Sequence, residues 1–323
     1  MIIVTGGAGF IGSSMVWKLN QHGVTDILIV DHLGSSSKWK NLVNLKFTDF
    51  VQKDDFLKMV EDCRMPDEVS GIIHMGACSS TTEKDSDYLM ENNYRYTLKL
   101  AEWALRMKVR FIYASSAATY GNGNSGFSDD DALIENLKPL NMYGYSKHLF
   151  DLWAKRNSVL NKMVGLKFFN VFGPNEYHKN DMSSVVFKSF NQIKESGKVK
   201  LFKSYHPDFK NGEQLRDFVY VKDCVEVMWW FLNNPQINGL FNLGTGKSRH
   251  WNDLVSSTFR SMGLEPNIEF MEMPENLKNS YQYFTEANMS KLFSVGCKIQ
   301  FHSLEDSIKD YVQNYLMRPD SFL

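Results

Sequence analysis

Two residues four apart carry the first chemistry of this chain: Tyr143 and Lys147, in Tyr143-Gly144-Tyr145-Ser146-Lys147. On a helix that spacing places both side chains on one face. An ammonium beside a phenol favours the phenolate, drawing a group of ordinary pKa about 10 towards a working pH. Such a phenolate is a general base for a sugar or alcohol hydroxyl. The spacing gains its weight from the N-terminus. There Met1-Ile2-Ile3-Val4-Thr5 reads as a buried strand and runs into Gly6-Gly7-Ala8-Gly9-Phe10-Ile11-Gly12, followed by the helical pattern of Met15, Val16 and Leu19. Gly6, Gly9 and Gly12 permit a tight turn and let backbone N–H groups approach a pyrophosphate at a helix N-terminus.

Nineteen residues past Gly12, the run Ile27-Leu28-Ile29-Val30 ends in Asp31, where an acid meets an adenine ribose. Asp31 argues for NAD, because a carboxylate binds a free hydroxyl and repels a phosphate. Lys38 and Lys53 could instead pair with the 2′-phosphate of NADP. The residues by themselves leave both open.

These groups need a scaffold. Strand patterns at 2–5, 26–30, 69–74, 109–113 and 163–168 alternate with helical patterns near 10–22, 84–106 and 144–158. The alternation predicts an α/β fold, a Rossmann-type doubly wound parallel sheet with ligands at the C-terminal ends of its strands. Beyond 170 the pattern loosens into loops at 171–182 and 203–216, then a strand-helix unit at 217–233. The expected division is a nucleotide-binding domain over 1–170 plus about 217–240, interleaved with a smaller, mainly C-terminal substrate domain over 171–216 and 241–323. At 323 residues two lobes are expected.

A net charge of −1 gives no electrostatic reason to expect nucleic acid or an anionic membrane. No apolar run approaches the roughly 20 residues of a spanning helix. An opening that already reads as strand predicts no signal peptide and a cytoplasmic location. Cys63, Cys78, Cys224 and Cys297 are scattered and read as free thiols, and the eight histidines form no ligand-spaced cluster, so no metal is expected. Trp229-Trp230-Phe231 reads as helix packing.

Taken together, Gly6/Gly9/Gly12, Ser116 after the fourth of these strands, and Tyr143/Lys147 resemble the extended short-chain dehydrogenase/reductase family of nucleotide-sugar epimerases and dehydratases. Longer strings narrow the resemblance: Gly76 to Glu83, Tyr113 to Gly121, Pro139 to Lys147, Phe169 to Lys179, Arg216 to Val221 and Phe241 to Gly246. The resemblance implies NADP as cofactor, ADP-heptose as substrate, inversion at C6″ as the reaction and a homo-oligomer, pentameric by family habit. It implies that Ser116 orients a substrate hydroxyl, Tyr143 transfers its proton, Lys147 holds the nicotinamide ribose and Lys179 is a second proton-transfer group.

By the same resemblance the cofactor lies along Phe10, Ile11, Asp31, His32, Lys38, Lys53, Met75, Gly76, Ala77, Cys78, Ser79, Asn92, Lys147, Val171 and Lys179. Substrate positions fall on Asn170, Asp181, Lys188, Phe202, Lys203, Ser204, Tyr205, Arg216 and Tyr281. Three departures stand out. Met75 replaces a frequent glutamate, Asp181 and Lys188 replace a usual serine and histidine, and the 203–216 loop is longer than in the shortest relatives.

Ala117 and Ala118 stand where the related 4,6-dehydratases carry an Asp-Glu pair, so dehydration is not expected. Arg216 is placed to clamp a diphosphate bidentately; an ion pair with Asp217 or Asp223 is its structural alternative. A hexose 4-epimerase would share Tyr143, Lys147 and Ser116 but has no special need of Lys179. A non-catalytic cofactor-binding protein would need neither Tyr143 nor Lys147.

Overall fold

The computed structural model describes residues 1–66, 68–278 and 281–323. Its first half alternates strand and helix: β1 (Ile2–Thr5), α1 (Phe10–Gln21), β2 (Ile27–Asp31), β3 (Asp49–Gln52), α2 (Lys53–Glu61), β4 (Gly71–His74), α3 (Ser86–Leu89), α4 (Tyr96–Met107), β5 (Arg110–Ser116), α5 (Met142–Arg156) and β6 (Val164–Phe168). The second half adds β7 (Asn170–Phe172), α6 (Val185–Ser196), β8 (Val199–Phe202), β9 (Leu215–Tyr220), α7 (Val221–Asn233), β10 (Gly239–Leu243), β11 (Ser248–His250), α8 (Trp251–Ser261) and β12 (Ile268–Met271). Seven strands form one parallel sheet in the order β10-β6-β5-β4-β1-β2-β3. The chain leaves β1 in one direction and returns to its other side at β4. That switch opens a crevice at the strand ends, where such sheets bind ligands.

The sheet is buried on both faces. Val4, Ile29, Ile73, Ile112 and Leu166 pack with Met15, Val16 and Leu19 of α1 and Val227, Met228 and Phe231 of α7. Their neighbours Ile3, Leu28, Ile72, Phe111 and Tyr113 point the other way, onto Phe56 of α2, Leu100 and Ala104 of α4, and Phe150 of α5. This is why the strands read as continuous apolar runs rather than as alternation.

A second lobe packs Phe172, Phe218 and Tyr220 with Val186 and Phe190 of α6, Leu254 and Phe259 of α8, and Ile308 and Tyr311 of the C-terminal helix Leu304–Tyr311. Its sheets are small: β11-β9-β7 and β12-β8.

Three details differ from the sequence expectation. The helix expected over 84–106 is present but not uniformly α: a wider π segment over Met90–Arg95 lies between α3 and α4. Asn92 on this stretch lines the crevice, and Asn93 is buried behind it. Asn93 brackets Cys78, its Oδ1 accepting from the Cys78 N–H (2.9 Å) and its Nδ2 donating to the Cys78 carbonyl (3.0 Å). Asn92 accepts from Lys53 Nζ (2.7 Å).

The unit expected at 217–240 in the nucleotide-binding part is divided between the lobes. β9 pairs with β7 and β11 in the second lobe, α7 lies on the main sheet, and β10 runs on to Leu243 as that sheet's edge. Ala287, Met289, Leu292 and Cys297 also return to the main core, so the segment 241–323 serves both lobes. Finally, β3 and β10 join the sheet beyond the five strands read from periodicity. β3 is a short edge strand (Asp-Phe-Val-Gln), and its polar ends mask it.

Candidate active site

The glycine loop follows β1, and its geometry leaves no room for side chains. Gly6 adopts φ +66°, and a Cβ there would stand 2.6 Å from the Gly76 nitrogen. A Cβ on Gly12 would lie 2.0 Å from the Gly6 carbonyl oxygen. The loop after β4 and the N-terminus of α1 can therefore close on a phosphate-bearing ligand from two sides. Asn41 fastens the loop from outside, donating to the Ala8 carbonyl (2.9 Å) and to the Asn175 carbonyl (3.0 Å).

A cleft of about 570 Å³ opens over this loop. Gly6, Gly9, Phe10, Ile11, Gly12, Asp31, His32, Lys38, Met75 to Ser79, Lys147 and Lys179 all line it. A smaller side cavity of about 190 Å³ adds Lys53 and Asn92. Val171 lines the next cavity inward. The residues expected around the cofactor are thus gathered at one crevice.

Asp31 differs in detail from its sequence reading. Its Oδ2 accepts from the Ala8 N–H (2.9 Å), and its Oδ1 accepts from the His32 N–H (2.7 Å) and Lys38 Nζ (2.6 Å). The carboxylate pins the glycine loop and is already paired with a cation. Lys38 thereby offsets the repulsion that the carboxylate alone would exert on a phosphate.

Deeper in, a cavity of about 300 Å³ holds the reactive groups: Ser116, Tyr143, Asn170 and Lys179, with Phe10, Phe168 and Trp251 among its apolar walls. Each is set by a local device. Ser116 ends β5, and its Oγ accepts from the Ala118 N–H (3.1 Å), turning the chain into the Ala117–Tyr120 turn. Tyr143 stands in the first turn of α5, capped by Asn141 Oδ1 accepting from the Gly144 N–H (2.8 Å). Lys179 sits in the short 3₁₀ segment Tyr177–Met182, with its ammonium 5.3 Å from the Phe10 ring centre. Buried Glu176 closes that loop, its carboxylate accepting from the Gly173 N–H (3.3 Å) and from the Ser184 N–H (2.5 Å) and hydroxyl (2.7 Å).

Burial sets the electrostatics here. It pushes the Tyr143 phenol up, with the Ser116 hydroxyl opposing. The lowered phenol expected from the sequence is therefore not found in this cleft. Lys147, buried and facing the cleft, takes the shift instead and is pushed down to about 8, partly restored by Asp151. Lys179 is also lowered by burial, against the pull of Glu176. His178 is held down to about 4 by burial and by the Lys38 and Lys179 charges, so a neutral imidazole lines the cleft.

Beneath α5 lies an ion pair that spacing did not announce. Lys167 Nζ meets Asp151 Oδ2 at 2.7 Å, with the two side chains 1% and 0% exposed. Asp151 also accepts from the Tyr113 (3.0 Å) and Ser115 (2.7 Å) hydroxyls, and Lys167 donates to Thr119 Oγ1 (2.6 Å). Thr119 in turn donates to the Ser116 carbonyl (2.8 Å). The network ties the end of β5 to the helix carrying Tyr143 and Lys147. Its one legible sign was Asp151 itself, four residues past Lys147 on the same helical face.

The central cavity leads past Val185 and Trp251 into a third, of about 490 Å³, between α6, β8 and α8. Lys188, Phe202 and Tyr281 line it. Arg216 is buried beside it, 5.3 Å from the Tyr281 ring centre and 5.9 Å from that of Trp251. Its guanidinium donates to the Leu215 carbonyl (2.8 Å) and the Gln282 carbonyl. The expected alternative, a pair with Asp217 or Asp223, is not formed. Asp217 accepts from Thr245, Gly246 and Ala287, and Asp223 from His302.

Asp181, Lys203, Ser204 and Tyr205, expected at the substrate, are not among the residues lining these three cavities. Asp181 is exposed, and only its carbonyl is engaged, by Lys188 Nζ (2.6 Å). Lys203 pairs with Glu272 (2.5 Å), Tyr205 hydrogen-bonds the same carboxylate, and the Ser204 N–H donates to Asn211 (2.8 Å). Contacts with Glu272 and Tyr283 outside the loop, and with Asn211 within it, already engage these residues. Trp251, Ser183 and Ser184 line the central cavity without having been flagged, since no motif marks them.

Among the described residues no group of three His, Cys, Asp or Glu side chains could hold a metal ion, and no helix is long and apolar enough to cross a membrane.

A glycine loop at a sheet switch point, with Ser116, Tyr143 and Lys147 beside it, defines the class. The chain belongs to the NAD dependent epimerase/dehydratase family, which it matches over residues 2–244. It is an epimerase, an isomerase working with a nicotinamide cofactor. It is 59% identical over 323 residues to the ADP-L-glycero-D-manno-heptose-6-epimerase of Nitratidesulfovibrio vulgaris strain DP4, covering 100% of both chains. To the ADP-L-glycero-D-manno-heptose-6-epimerase of Fusobacterium nucleatum it is 51% identical over 332 aligned positions, again covering 100% of both. Among solved structures, the ADP-L-glycero-D-manno-heptose-6-epimerase of Helicobacter pylori superposes with a TM-score of 0.82 at 29% identity, over 97% of this chain and 95% of that one.

Proposed function

We propose that this enzyme converts ADP-D-glycero-β-D-manno-heptose to ADP-L-glycero-β-D-manno-heptose by inverting C6″, with NADP retained in the cleft, as a step towards lipopolysaccharide core heptose. The observation that carries the reading is the central cavity. Two proton-transfer groups on separate elements, Tyr143 on α5 and Lys179 on the loop after β7, line the same space. The names and full-length identities of the relatives support the substrate.

Bound in the cleft, the cofactor would supply a reversible hydride acceptor for C6″. Gly6, Gly9 and Gly12 would hold the pyrophosphate, Lys147 the nicotinamide ribose, and Lys38 with Lys53 the 2′-phosphate. The pairing of Asp31 with Lys38 favours NADP, because it removes the carboxylate's repulsion.

The chain's own part is proton transfer and positioning. Ser116 orients the C6″ hydroxyl, and Tyr143 as phenolate accepts its proton while C6″ becomes a ketone. Rotation about C5″–C6″ turns the other face of that ketone to the cofactor and moves its oxygen away from Tyr143. Lys179, on the other side, donates the proton that completes the inverted alcohol. Its lowered pKa makes the ammonium a stronger acid for that donation. Tyr143 gains a proton and Lys179 loses one, so exchange with solvent restores both. Arg216 and Lys188 are assigned to the diphosphate.

The test is proton NMR of ADP-D-glycero-β-D-manno-heptose with purified protein and no added cofactor. Appearance of the L-glycero epimer without net NADPH is the expected result. No conversion after NADP and NAD are both supplied would overturn the assignment and direct the search to UDP-hexoses.

A further inference from the structure

The 490 Å³ cavity holds two buried polar groups with no partner among the described residues. Gln214, 1% exposed, has both its amide nitrogen and its amide oxygen unpaired, and the Ser189 hydroxyl, 0% exposed, is likewise unpaired. Both residues line the cavity, where they stand with Lys188, Gln192 and Lys200 among apolar and aromatic walls that include Phe202, Trp251, Tyr281 and Met271. A buried amide normally has its hydrogen bonds made, and leaving both ends open is costly. Its retention here points to a partner that arrives with the ligand.

Strand geometry says which part of the ligand. Gln214 immediately precedes β9, so it and Arg216, two residues on, face the same side. On that side Arg216 packs over Trp251 and Tyr281. A guanidinium is suited to a diphosphate. An uncharged amide beside aromatic walls is suited to a flat ring whose edge presents a donor next to an acceptor, as adenine does to Gln or Asn. The volume lies in the range of ordinary small-molecule sites.

We infer that Gln214 reads the edge of the substrate's adenine, making it a specificity-determining residue of the nucleotide site. This rests on the ADP-sugar reading above. The inference makes two predictions of opposite sign. Gln214→Met keeps the side-chain length and removes an unpaired buried amide, so the ligand-free protein should melt at or above the wild-type temperature. The same change should weaken ADP binding about tenfold, the loss of a good hydrogen-bonded contact.

The experiment is calorimetric titration of holoenzyme, wild type and Gln214→Met, with ADP, UDP and ribose 5-diphosphate, which lacks the base. Thermal melts of the ligand-free proteins accompany it. Gln214→Leu takes the place of the methionine variant if that one does not fold. Supporting results are a wild type that prefers ADP to UDP and a variant that loses ADP affinity but keeps its affinity for ribose 5-diphosphate. Unchanged ADP affinity, or equal losses for ADP and ribose 5-diphosphate, would overturn the assignment to adenine while leaving the ADP reading intact. A wild type that prefers UDP would overturn both.

Discussion

A Tyr143→Phe enzyme is expected to lose about 10²–10⁴-fold in kcat, the usual weight of a positioned acid or base, while retaining its fold and its bound cofactor. The substitution removes one oxygen from a side chain lining both the cofactor cleft and the central cavity. The packing of α5 on β5 passes instead through Phe150 and Asp151, so stability should change little. Cofactor content of the denatured protein, circular dichroism and epimer formation by NMR check the three parts separately. Near-normal turnover with full cofactor would remove Tyr143 from the reaction. The pH profile adds a sign. A base must be deprotonated, so wild-type kcat rises with pH through the phenol's pKa. Residual activity of the phenylalanine variant should lack that limb.

The second large effect falls on stability. Asp151→Asn should destabilise the fold by about 3–5 kcal/mol, as removal of one member of a buried ion pair does. Asparagine still accepts hydrogen bonds, so the loss comes chiefly from leaving the Lys167 ammonium uncompensated in a site where it is 1% exposed. Urea unfolding gives the number directly. An Asp151→Asn/Lys167→Met double variant should recover part of the loss, because no unpaired charge remains. A change under about 1 kcal/mol, the scale of a surface pair, would contradict the burial of this pair. The arrangement also bears on catalysis. Asp151 opposes the desolvation of Lys147 one turn earlier on α5, so its charge helps keep that lysine protonated near neutral pH.

Much of this site is legible in the chain because its signals are local. Glycine spacing, a four-residue Tyr–Lys interval and apolar runs with β-branched residues depend on neighbours within one or two turns. The β1–α1–β2 unit and α5 fall close to where those signals place them. What was not legible depends on contacts between distant segments. β9 and α7 read as one strand-helix unit, yet the strand pairs with β7 and β11 while the helix packs beside α1. Asp31 reads as a ribose ligand until Lys38 and the Ala8 N–H are found on its two oxygens. Lys167 and Gln214 look like ordinary polar residues of strand ends, and only their burial gives them a role. The π turn at 90–95 is hidden because one extra residue barely disturbs a helical apolar pattern.

The most direct test of the account is to run the epimerisation in D₂O and read C6″ of the product. If the hydrogen leaves and returns as hydride within one closed site, with Tyr143 and Lys179 moving only hydroxyl protons, the L-glycero product carries no deuterium on C6″. Deuterium incorporated at C6″ would show that the carbon exchanges its hydrogen as a proton, and would contradict the oxidation–reduction account.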